Sequence, residues 1–351
     1  MILPERYAPT GASSGGGMGD IFECTDVHLK RPVVLKMLKD GEESRRLLDE
    51  QKALIKLRSK HVVQLYDVIT VQDGGHERTA LVLEHIEGRD LSVGSISHGE
   101  EHLFTLWQIA CGLLDIHSEG VIHRDIKPNN IRLDTDGVIK ILDFGLSRKA
   151  GTEARTASII GTPGYMAPEL FRGSDISFDQ TIDVYAFGVM SLTLVDGDAP
   201  AELRTLPPRP VTPGSFSRYL PDLPPDVVSV LESCVSTNTR ERPAMEQVEA
   251  VLRRHLLFNR HRALLVLPNE TLELNADSPN IRLKSGEVGT LEVNYNGLQF
   301  IVTSLSGNVY VNNSVINVGD ELPKCCVITF GPPNRPRQFV TFDVSNPEVM
   351  P

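Results

Sequence analysis

The hydrophobic positions in the first two thirds of the chain follow two spacings, one typical of strands and one typical of helices. Between Glu42 and Leu57, apolar residues recur among charged ones at helical spacing, which predicts an amphipathic helix. Leu103 to His117 has the same spacing and stops before Gly120, a residue suited to ending a helix. The apolar runs that predict strands are Ile21 to Thr25, Pro32 to Leu38 and Leu81 to Leu83.

Beyond Arg262 the pattern changes to short β-rich runs separated by turn residues. The predicted strands are Leu264 to Leu267, Thr271 to Leu274, Thr290 to Tyr295, Leu298 to Thr303, Asn308 to Val311, Val327 to Phe330 and Phe339 to Val344. The turn signals between them are Asn296-Gly297, Ser306-Gly307 and Gly319-Asp320. This pattern predicts a small all-β sandwich at residues 262–351, after a first domain at residues 1–258.

A proline-rich segment interrupts the first domain. The segment from Pro200 to Pro225 holds eight prolines, so it is neither helix nor central strand throughout. Within it, Pro207-Pro208-Arg209-Pro210 has the spacing of a ligand for an SH3-type module. A surface loop is the favoured interpretation.

The charge balance and the cysteines restrict the class of protein. With 35 Lys plus Arg against 46 Asp plus Glu, the formal net charge at pH 7 is −11. A field of this sign repels nucleic acid and anionic lipid, so we expect neither as a partner of the whole chain. The five cysteines have no C-x-x-C spacing, which argues against a zinc site or a disulfide framework.

The chain shows no sequence signal for export or for membrane insertion. The first residues lack the basic and apolar regions of a signal peptide. No run of roughly 18 apolar residues occurs. We therefore expect a cytoplasmic protein without a membrane span.

Three short motifs carry the chemistry, and they occur in a fixed order along the first domain. They are His123-Arg124-Asp125-Ile126-Lys127-Pro128-Asn129-Asn130, Asp143-Phe144-Gly145 and Ala167-Pro168-Glu169. In this order they resemble the signature of eukaryotic-type protein kinases, including those of bacteria and phage. The resemblance implies an α+β, two-lobed kinase fold, with a β-rich N-lobe at about residues 1–86 and an α-helical C-lobe at about 87–258. It also implies ATP and Mg²⁺ as cofactors and protein substrates as partners.

Matching residues to the motifs assigns catalytic roles, because phosphoryl transfer depends on positioning and on cations around spread negative charge. Asp125 is expected to accept the proton of the substrate hydroxyl or to orient it. Asn130 and Asp143 are expected to hold Mg²⁺ against the phosphates. Lys127 resembles the lysine of serine/threonine kinases that contacts the transferring phosphate, which favours serine and threonine over tyrosine.

Upstream, the run Val33-Val34-Leu35-Lys36 resembles the strand whose lysine pairs the α- and β-phosphates. Glu50 is the expected ion-pair partner of Lys36. It is preferred over Asp49 and Glu43 because leucines follow it with the family's apolar spacing. Taken alone, Lys36 is better explained as a strand-end lysine with its stem on apolar surface, and Glu50 as a solvated helical residue; the motifs downstream favour the functional interpretation.

Taken alone, the serine- and glycine-rich stretch near the N-terminus predicts a flexible linker. Beside the other motifs, Ser14-x-Gly16-x-x-Gly19-x-Ile21 resembles the family's glycine-rich loop over the phosphates, with Ser14 replacing the first glycine. Leu83 stands at the gatekeeper position, and Glu84-His85-Ile86 at the hinge whose backbone bonds adenine. The residues expected to bind the nucleotide are Gly16, Gly17, Gly19, Ile21, Val34, Lys36, Glu84, Ile86 and Asn130.

Arg132 departs from the family pattern. Two positions after the metal-binding Asn130, the family has an apolar residue that forms the floor of the adenine pocket. A charged side chain there predicts reduced nucleotide affinity. The alternative is a local shift of the strand, in which Arg132 points outward and Leu133 packs.

The segment from Leu146 to Gly161 stands at the position of the family's activation segment. Arg124 beside Asp125 implies activation by a phosphate that pairs with this arginine and orders the segment. The candidate hydroxyls are Ser147, Thr152, Thr156 and Ser158, with Thr156 and Ser158 favoured. The pairings expected to stabilise the fold are Thr162 with Asp125 and Lys127, Glu169 with Arg242, and Asp183 with the catalytic loop.

In the C-terminal domain, the run from Val309 to Leu322 resembles the late part of a forkhead-associated domain, with its V-N and G-D elements. Such domains recognise phosphothreonine through a Gly-Arg pair and an S-x-x-H motif. Neither occurs here, since Arg282 follows Ile281 and the last histidine is His261. A surface that recruits substrate or packs on the kinase is therefore expected, and a purely structural extension is the alternative.

Three functions are compatible with these features. The leading hypothesis is an active, Mg²⁺- and ATP-dependent serine/threonine protein kinase, for which a transient homodimer would allow phosphorylation in trans. The second is a catalytically weak kinase-like scaffold, supported by Ser14 and Arg132. The third, a small-molecule phosphotransferase, is disfavoured because such relatives lack the Ala-Pro-Glu segment.

Overall fold

The computed structural model describes residues 2–16, 19–37, 49–146, 148–149, 162–171, 179–345 and 347–350. The chain divides into two compact units, residues 1–252 and residues 253–350. The first unit contains a sheet-rich part followed by a mainly helical part. The second unit, after the end of the last helix, is built from strands. This is the expected fold class, α+β with two lobes followed by a small all-β domain.

A five-stranded antiparallel sheet opens the first unit, with strand order β1-β2-β3-β5-β4. Its strands are β1 (Tyr7–Gly16), β2 (Gly19–Asp26), β3 (Arg31–Met37), β4 (Leu65–Asp73) and β5 (His76–Glu84). The predicted strands at 21–25 and 81–83 lie in β2 and β5. The predicted strand at 32–38 lies in β3 as far as residue 37, and residue 38 lies outside the described part of the chain. Residues 49–54, between β3 and β4, are helical, in agreement with part of the predicted amphipathic helix. The helix ends before residues 55–57, which were also predicted to be helical, and residues 42–48 lie outside the described part of the chain.

The two faces of this sheet differ because side chains alternate along each strand. On one face, Cys24, Val33, Leu35 and Val82 are buried and form a small core with Tyr7. The opposite face carries the side chains at the alternate positions of β3, which include Lys36. The sheet therefore presents a polar, charged group on the face away from its small core.

The second part of the first unit contains short strands and the main helices. The strands are β6 (Gly88–Asp90), β7 (Val121–Ile122), β8 (Ile131–Asp134), β9 (Ile139–Ile141) and β10 (Arg148–Lys149). The helices are α1 (Glu100–Ser118), α2 (Thr181–Thr193), α3 (Pro225–Cys234) and α4 (Met245–Leu256). The 3-10 turns are Pro128–Asn130, Pro168–Phe171, Ala201–Arg204, Ser215–Arg218 and Thr239–Glu241.

Helix α1 confirms the helix predicted from Leu103 to His117. Two glutamates stand in its first turn, where they suit the positive end of the helix dipole. Gly120, with φ +68°, adopts the left-handed conformation after its end. The helix holds strand β9 in place, since Gln108 Oε1 accepts a hydrogen bond from the Ile139 N–H at 3.0 Å. Helix α1 thereby fixes the strand that leads into Asp143.

The proline-rich segment 200–225 is irregular, as expected. It contains two 3-10 turns, Ala201–Arg204 and Ser215–Arg218, and helix α3 begins at Pro225. Proline at the first position of a helix is favourable because its missing N–H would have no partner there.

The second unit is a sandwich of two antiparallel sheets. One sheet has the order β12-β11-β19-β18-β16-β17 and the other the order β13-β14-β15. The strands are β11 (Ala263–Val266), β12 (Thr271–Leu274), β13 (Asn280–Ser285), β14 (Gly289–Tyr295), β15 (Phe300–Gly307), β16 (Val309–Val311), β17 (Ser314–Val315), β18 (Cys325–Phe330) and β19 (Gln338–Val344). Buried residues of both sheets, such as Leu291 and Phe342, share one core.

Candidate active site

Lys36, Glu50 and Asp143 meet at one point although they are far apart in the sequence. The Nζ atom of Lys36 lies 2.9 and 2.8 Å from Oε1 and Oε2 of Glu50. It also lies 2.8 Å from Oδ1 of Asp143. Strand β3 supplies Lys36, the helical residues 49–54 supply Glu50, and the turn after β9 supplies Asp143. Glu50 is therefore the ion-pair partner of Lys36.

Burial and ionic contacts together set the charges of these three groups. Burial alone would lower the pKa of Lys36, but the charges of Glu50 and Asp143 outweigh this effect and raise it. Burial raises the pKa of Glu50, against the opposing charge of Lys36. Burial also tends to raise the pKa of Asp143, yet Lys36 holds it below its usual value. Lys36 is thus a cation and Asp143 an anion at neutral pH.

Asp125 is held by hydrogen bonds to both of its carboxylate oxygens. Lys127 Nζ donates to Oδ2 at 2.7 Å, and Thr162 Oγ1 donates to Oδ1 at 2.8 Å. Lys127 Nζ also donates to Thr162 Oγ1 at 2.7 Å, so each of the three side chains is hydrogen-bonded to the other two. Asn130 Nδ2 adds a hydrogen bond to Asp125 Oδ2 at 2.9 Å. The orientation of the Asp125 carboxylate is therefore fixed by three neighbours, among them the predicted Thr162.

Asp183, at the start of helix α2, braces the loop that carries Asp125. Its Oδ2 accepts the His123 N–H and its Oδ1 accepts the Arg124 N–H, both at 2.8 Å. His117 Nε2 lies 3.0 Å from Oδ2. Burial alone would raise the pKa of Asp183, but these contacts hold it below its ordinary value. The brace was expected from the sequence, whereas the contribution of His117 was not.

Two non-glycine residues at the site have positive φ angles, 73° at Arg124 and 58° at Asp143. This left-handed region is unfavourable for residues with a side chain and is found at functional sites. The contacts of Asp183 hold Arg124, and the ion pair with Lys36 holds Asp143. Phe144, fully buried, packs its ring edge-on to His123 with 4.8 Å between the centroids. The backbone at both motifs is thus fixed by its surroundings.

Three of the residues expected at the nucleotide, Ile21, Val34 and Lys36, share one face of the N-terminal sheet. The β2–β3 register pairs Ile21 with Lys36, and the β3–β5 register pairs Val34 with Leu83. Cross-strand partners and alternate positions on a strand lie on the same face. Ile21, Val34 and Leu83 therefore flank Lys36 on the face that meets Asp143.

The glycine-rich loop lies where β1 turns into β2. Gly16 and Gly19 pair with each other at this end, and Ser14 pairs with Ile21. Gly17 lies outside the described residues. The two described glycines are thus placed at the hairpin end of the strands, one strand away from Lys36.

The hinge residues connect β5 to β6. Glu84 ends β5, and its carboxylate lies 2.8 and 3.1 Å from Lys140 Nζ on β9. It also accepts the Gln64 N–H at 3.1 Å. The Glu84 side chain is therefore engaged in an ion pair, which leaves the expected contact with adenine to the backbone. Ile86, 8% exposed, is buried in the connection.

Arg132 lies on a regular strand. The β8–β9 register pairs Arg132 with Lys140 and Leu133 with Ile139, without a bulge. The two strands thus pair regularly at Arg132, and the direction of its side chain relative to a bound base stays a prediction. Arg132 Nη2 donates to the Gly88 carbonyl oxygen at 3.2 Å.

Behind the site, Glu169 and Arg242 form the expected pair. Arg242 donates from Nη1 and Nη2 to the two carboxylate oxygens of Glu169, at 2.6 and 2.8 Å. Its guanidinium also lies 4.9 Å from the ring centroid of Tyr185 on helix α2. This two-point contact anchors the Ala167-Pro168-Glu169 motif to the helical part of the unit.

The candidate phosphorylation sites Ser147, Thr152, Thr156 and Ser158 lie outside the described residues. The described part of the segment resumes at Thr162, and a pocket opens beside Asp125 there. Its lining includes Tyr165, Met166 and Leu170. This small pocket, whose lining is both polar and apolar, lies next to the carboxylate that would receive a hydroxyl.

The donors near Asp143 fit a magnesium ion. Asn130 uses its Nδ2 for Asp125, so its carbonyl oxygen is free of that bond. Lys36 contacts only Oδ1 of Asp143. Mg²⁺ keeps several waters and takes one or two protein carboxylates, so these two side chains suffice. Among the described residues no group of three His, Cys, Asp or Glu side chains is placed to hold a metal.

Sequence reasoning missed two residues that shape the site, His117 and Lys140. Neither belongs to a short motif, and a single histidine at a helix end or lysine in a strand carries no signal. Lys140 could have been suspected because it interrupts the apolar run Ile139 to Leu142 in a buried strand.

None of the helices in the described ranges combines the length and the apolar character needed to cross a bilayer. All five cysteines are free thiols.

Comparison with known proteins agrees with this geometry. A family model described as the protein kinase domain matches residues 14–251. A probable serine/threonine-protein kinase of Corynebacterium efficiens is 30% identical over 265 residues, 69% of this chain and 39% of that protein. The serine/threonine-protein kinase PknL of Mycobacterium tuberculosis is 34% identical over 210 residues, 57% of this chain and 51% of the relative.

The serine/threonine-protein kinase PknA of Mycobacterium tuberculosis is 32% identical over 267 residues, 70% of this chain and 59% of the relative. The chain thus spans between two fifths and three fifths of the length of these curated relatives. The family model covers more than half of the chain and includes every residue of the Lys36, Asp125 and Asp143 groups. The chain belongs to the protein kinase family.

Proposed function

We propose that the protein is a serine/threonine protein kinase that transfers the γ-phosphate of ATP to hydroxyl groups of protein substrates. The observation that carries the proposal is the arrangement of two charged groups, which are joined where the Leu142 N–H donates to the Asn130 carbonyl oxygen at 2.8 Å. Lys36, Glu50 and Asp143 form the first, and Asp125, Lys127 and Thr162 form the second. The relatives named as serine/threonine-protein kinases support the same reaction and the same acceptor class.

The second group, Asp125, Lys127 and Thr162, acts on the hydroxyl that accepts the phosphoryl group. Asp125 accepts a hydrogen bond from the substrate hydroxyl and receives its proton as the oxygen attacks phosphorus. Lys127 stands 2.7 Å from Asp125 and places a positive charge beside the transferring phosphoryl group. Thr162 keeps both side chains in position.

The first group, Lys36, Glu50 and Asp143, acts on the nucleotide that donates the phosphoryl group. Lys36 pairs with nonbridging oxygens of the nucleotide phosphates, and Glu50 keeps its ammonium in place. Asn130 and Asp143 would hold Mg²⁺, which when bound neutralises charge developing on the phosphates. The backbone at Gly16, Gly17 and Gly19 would cover the phosphates, with Ile21, Val34, Glu84 and Ile86 around the base.

The remaining parts of the proposal concern the whole chain. We place the kinase domain at residues 1–258 and a forkhead-associated-like recognition domain at residues 262–351. Phosphorylation of the activation segment would proceed between two copies, so its initial rate per molecule should rise with protein concentration. The five free thiols support a reducing compartment such as the cytoplasm.

The proposal is tested with purified protein, Mg²⁺ and γ-labelled ATP. We expect label on serine or threonine of the protein itself and of a generic basic protein substrate. Asp143→Asn should abolish the label, because it removes the carboxylate placed to hold the metal. Asp136→Asn, at an exposed turn position after β8, is the matched control and should label like the wild type. Absence of label from wild type and control on both proteins would overturn the proposal in favour of a scaffold.

A further inference from the structure

The proline-rich segment of the first unit contains a run with a proline at every third position. Pro207, Pro210 and Pro213 are each three residues apart. Proline fixes its own φ angle at about −65°, and the residue before a proline is held in an extended conformation. In the proline run, residues 207–213, every residue except Val211 is a proline or precedes one. The sequence therefore directs this run into a polyproline II helix.

The burial of the proline run follows the same period of three. The structure describes all of residues 205–214, which lie between two 3-10 turns and belong to no helix or strand. The three prolines at the repeat are exposed, whereas Pro208 is buried and Val211 is half-buried. A polyproline II helix has three residues per turn and rises by about 3.1 Å per residue, so its repeating prolines form one face roughly 19 Å long. The run therefore packs on the unit by one face and presents an apolar proline face to solvent.

Hydrogen bonds hold the proline run in place, both within it and just after it. The Arg209 N–H donates to the Glu202 carbonyl oxygen at 3.0 Å. After the run, the Glu232 carboxylate on helix α3 accepts the Gly214 N–H at 2.6 Å and the Phe216 N–H at 3.0 Å. Because these contacts order the run in the free protein, a partner that binds it meets little further loss of chain entropy.

The local charge around the proline run is positive, opposite in sign to that of the whole chain. Arg204, Arg209 and Arg218 are the only charged residues at positions 203–221, whereas the chain has a formal net charge of −11. Arg209 is exposed, so its guanidinium lies at the surface beside the proline face. Charge complementarity therefore favours a partner that brings carboxylates to this surface.

We propose that the proline run is a docking site for a protein module that binds polyproline II helices. The module receives Pro207 and Pro210 in an aromatic groove and places carboxylates against Arg209. Grooves of this class bind prolines three residues apart, and they exploit the low entropy of a preformed ligand. The proposal does not depend on phosphoryl transfer, because the run belongs to neither of the two charged groups. Docking there brings a partner protein to the first unit without engaging Asp125.

The inference is tested by titrating the full chain with a purified SH3 domain, whose aromatic groove is flanked by carboxylates, and separately with a purified WW domain. We expect at least one of these domains to bind the wild type. Pro210→Ala should raise the dissociation constant roughly tenfold, because it removes a proline from the groove and loosens the run. Arg209→Glu should raise it to a similar extent, because it sets a carboxylate against the carboxylates of the domain.

Pro221→Ala is the matched control. Pro221 is an exposed proline of the same segment but lies outside the proline run. We expect this variant to bind the domain as the wild type does. On the side of the probe, a domain whose groove tryptophan is replaced by alanine should no longer bind. Thermal unfolding of each variant shows whether it is folded, without reference to its activity.

The outcomes separate the docking role from the proposed function. If neither domain binds the wild type, or if either folded variant of the run binds as tightly as the wild type, the docking role is overturned and the kinase activity stands. Equal binding by the domain without its groove tryptophan also overturns it. If Pro210→Ala does not fold, Arg209→Glu decides alone. Docking with the expected losses but without phosphoryl transfer supports the inference and refutes only the proposed function.

Discussion

At the scale of single residues, the buried ion pair of Lys36 and Glu50 joins strand β3 to the helical residues 49–54 and also serves the proposed chemistry. The Glu50 side chain is almost fully buried, and Lys36 donates to both of its oxygens. A buried carboxylate that loses its partner is left as an uncompensated charge. Asp125 differs, since it keeps hydrogen bonds from Thr162 and Asn130 if Lys127 is lost.

Lys36→Met and Lys127→Met should therefore separate stability from activity. We expect both to abolish phosphoryl transfer. Lys36→Met should lower the free energy of unfolding by about 3–5 kcal/mol, and Lys127→Met by clearly less. Denaturant unfolding of the two variants beside the wild type measures the difference. Equal losses of stability would contradict the distinct roles given to the two lysines.

Residues in short motifs could be placed from the sequence, and residues that act only through the fold could not. Lys36, Asp125 and Asp143 lie in motifs whose order indicated one cleft, and the structure brings Lys36 and Asp143 together across 107 residues of chain. Lys140 and His117 act through contacts that form only on folding. The pairing of Arg132 depended on strand register, which the sequence alone left open.

At the scale of elements, helices α2 and α3 approach closely at Gly188. A Cβ atom added there would lie 2.7 Å from Cβ of Cys234 and 2.8 Å from Cγ1 of Val235. It would also lie 3.2 Å from the Leu231 carbonyl oxygen. The glycine thus permits helix α2, which carries Asp183 in its first turn, to pack against α3.

Gly188→Ala should destabilise the protein although alanine favours helices. Helix propensity would add about 1 kcal/mol of stability, but overpacking of a dense interior costs about 1–3 kcal/mol. Because the close atoms include backbone and branched side chains, we expect a net loss and a lower melting temperature. Ser229→Ala, at an exposed position of α3, is the control and should be neutral. A Gly188→Ala protein more stable than the wild type would contradict the close packing.

Elements with strong periodicity were predictable, and short or exposed ones were not. Helix α1 and strands β2, β3 and β5 have long apolar patterns. Strands β13 (Asn280–Ser285) and β17 (Ser314–Val315) were missed. The first has only Ile281 and Leu283 as apolar positions, and the second consists of two exposed residues, so pairing with neighbours rather than composition forms them.

At the scale of the whole molecule, buried histidines link stability to pH. Burial lowers the pKa of both His61 and His102 to about 4; at His61 a hydrogen bond to the Ile139 carbonyl oxygen opposes this effect more weakly. Their unfolded value is about 6.5. Between those values the unfolded state binds more protons, so stability is full above pH 6.5 and falls as the pH decreases toward 4.

As the pH decreases from 7.5 to 5.5, proton uptake by each of these histidines in the unfolded state should therefore lower the free energy of unfolding by about 1.4 kcal/mol. We expect His102→Gln to show a smaller loss over this interval than the wild type, whatever its stability at pH 7.5. His76→Gln, at an exposed strand position, should keep the full dependence. Parallel curves for the wild type and His102→Gln would contradict this assignment.

Whole-molecule features were predictable to different degrees. The change in the hydrophobic pattern near residue 262 predicted a separate β unit. In the structure, the first compact unit ends at residue 252. The likeness of the second unit to a forkhead-associated domain stays a prediction. Charge balance limited the classes of partner but named none, because recognition depends on local surfaces.

The most direct test of the central claim is the single-turnover rate of phosphoryl transfer in Asp125→Asn, measured beside its affinity for ADP. We expect the rate to fall by about 10²–10⁴, the range for loss of a catalytic base, with ADP affinity within about twofold of the wild type. Asp136→Asn should match the wild type in both. Transfer by Asp125→Asn within threefold of the wild-type rate would contradict the role of Asp125 and the reaction built around it.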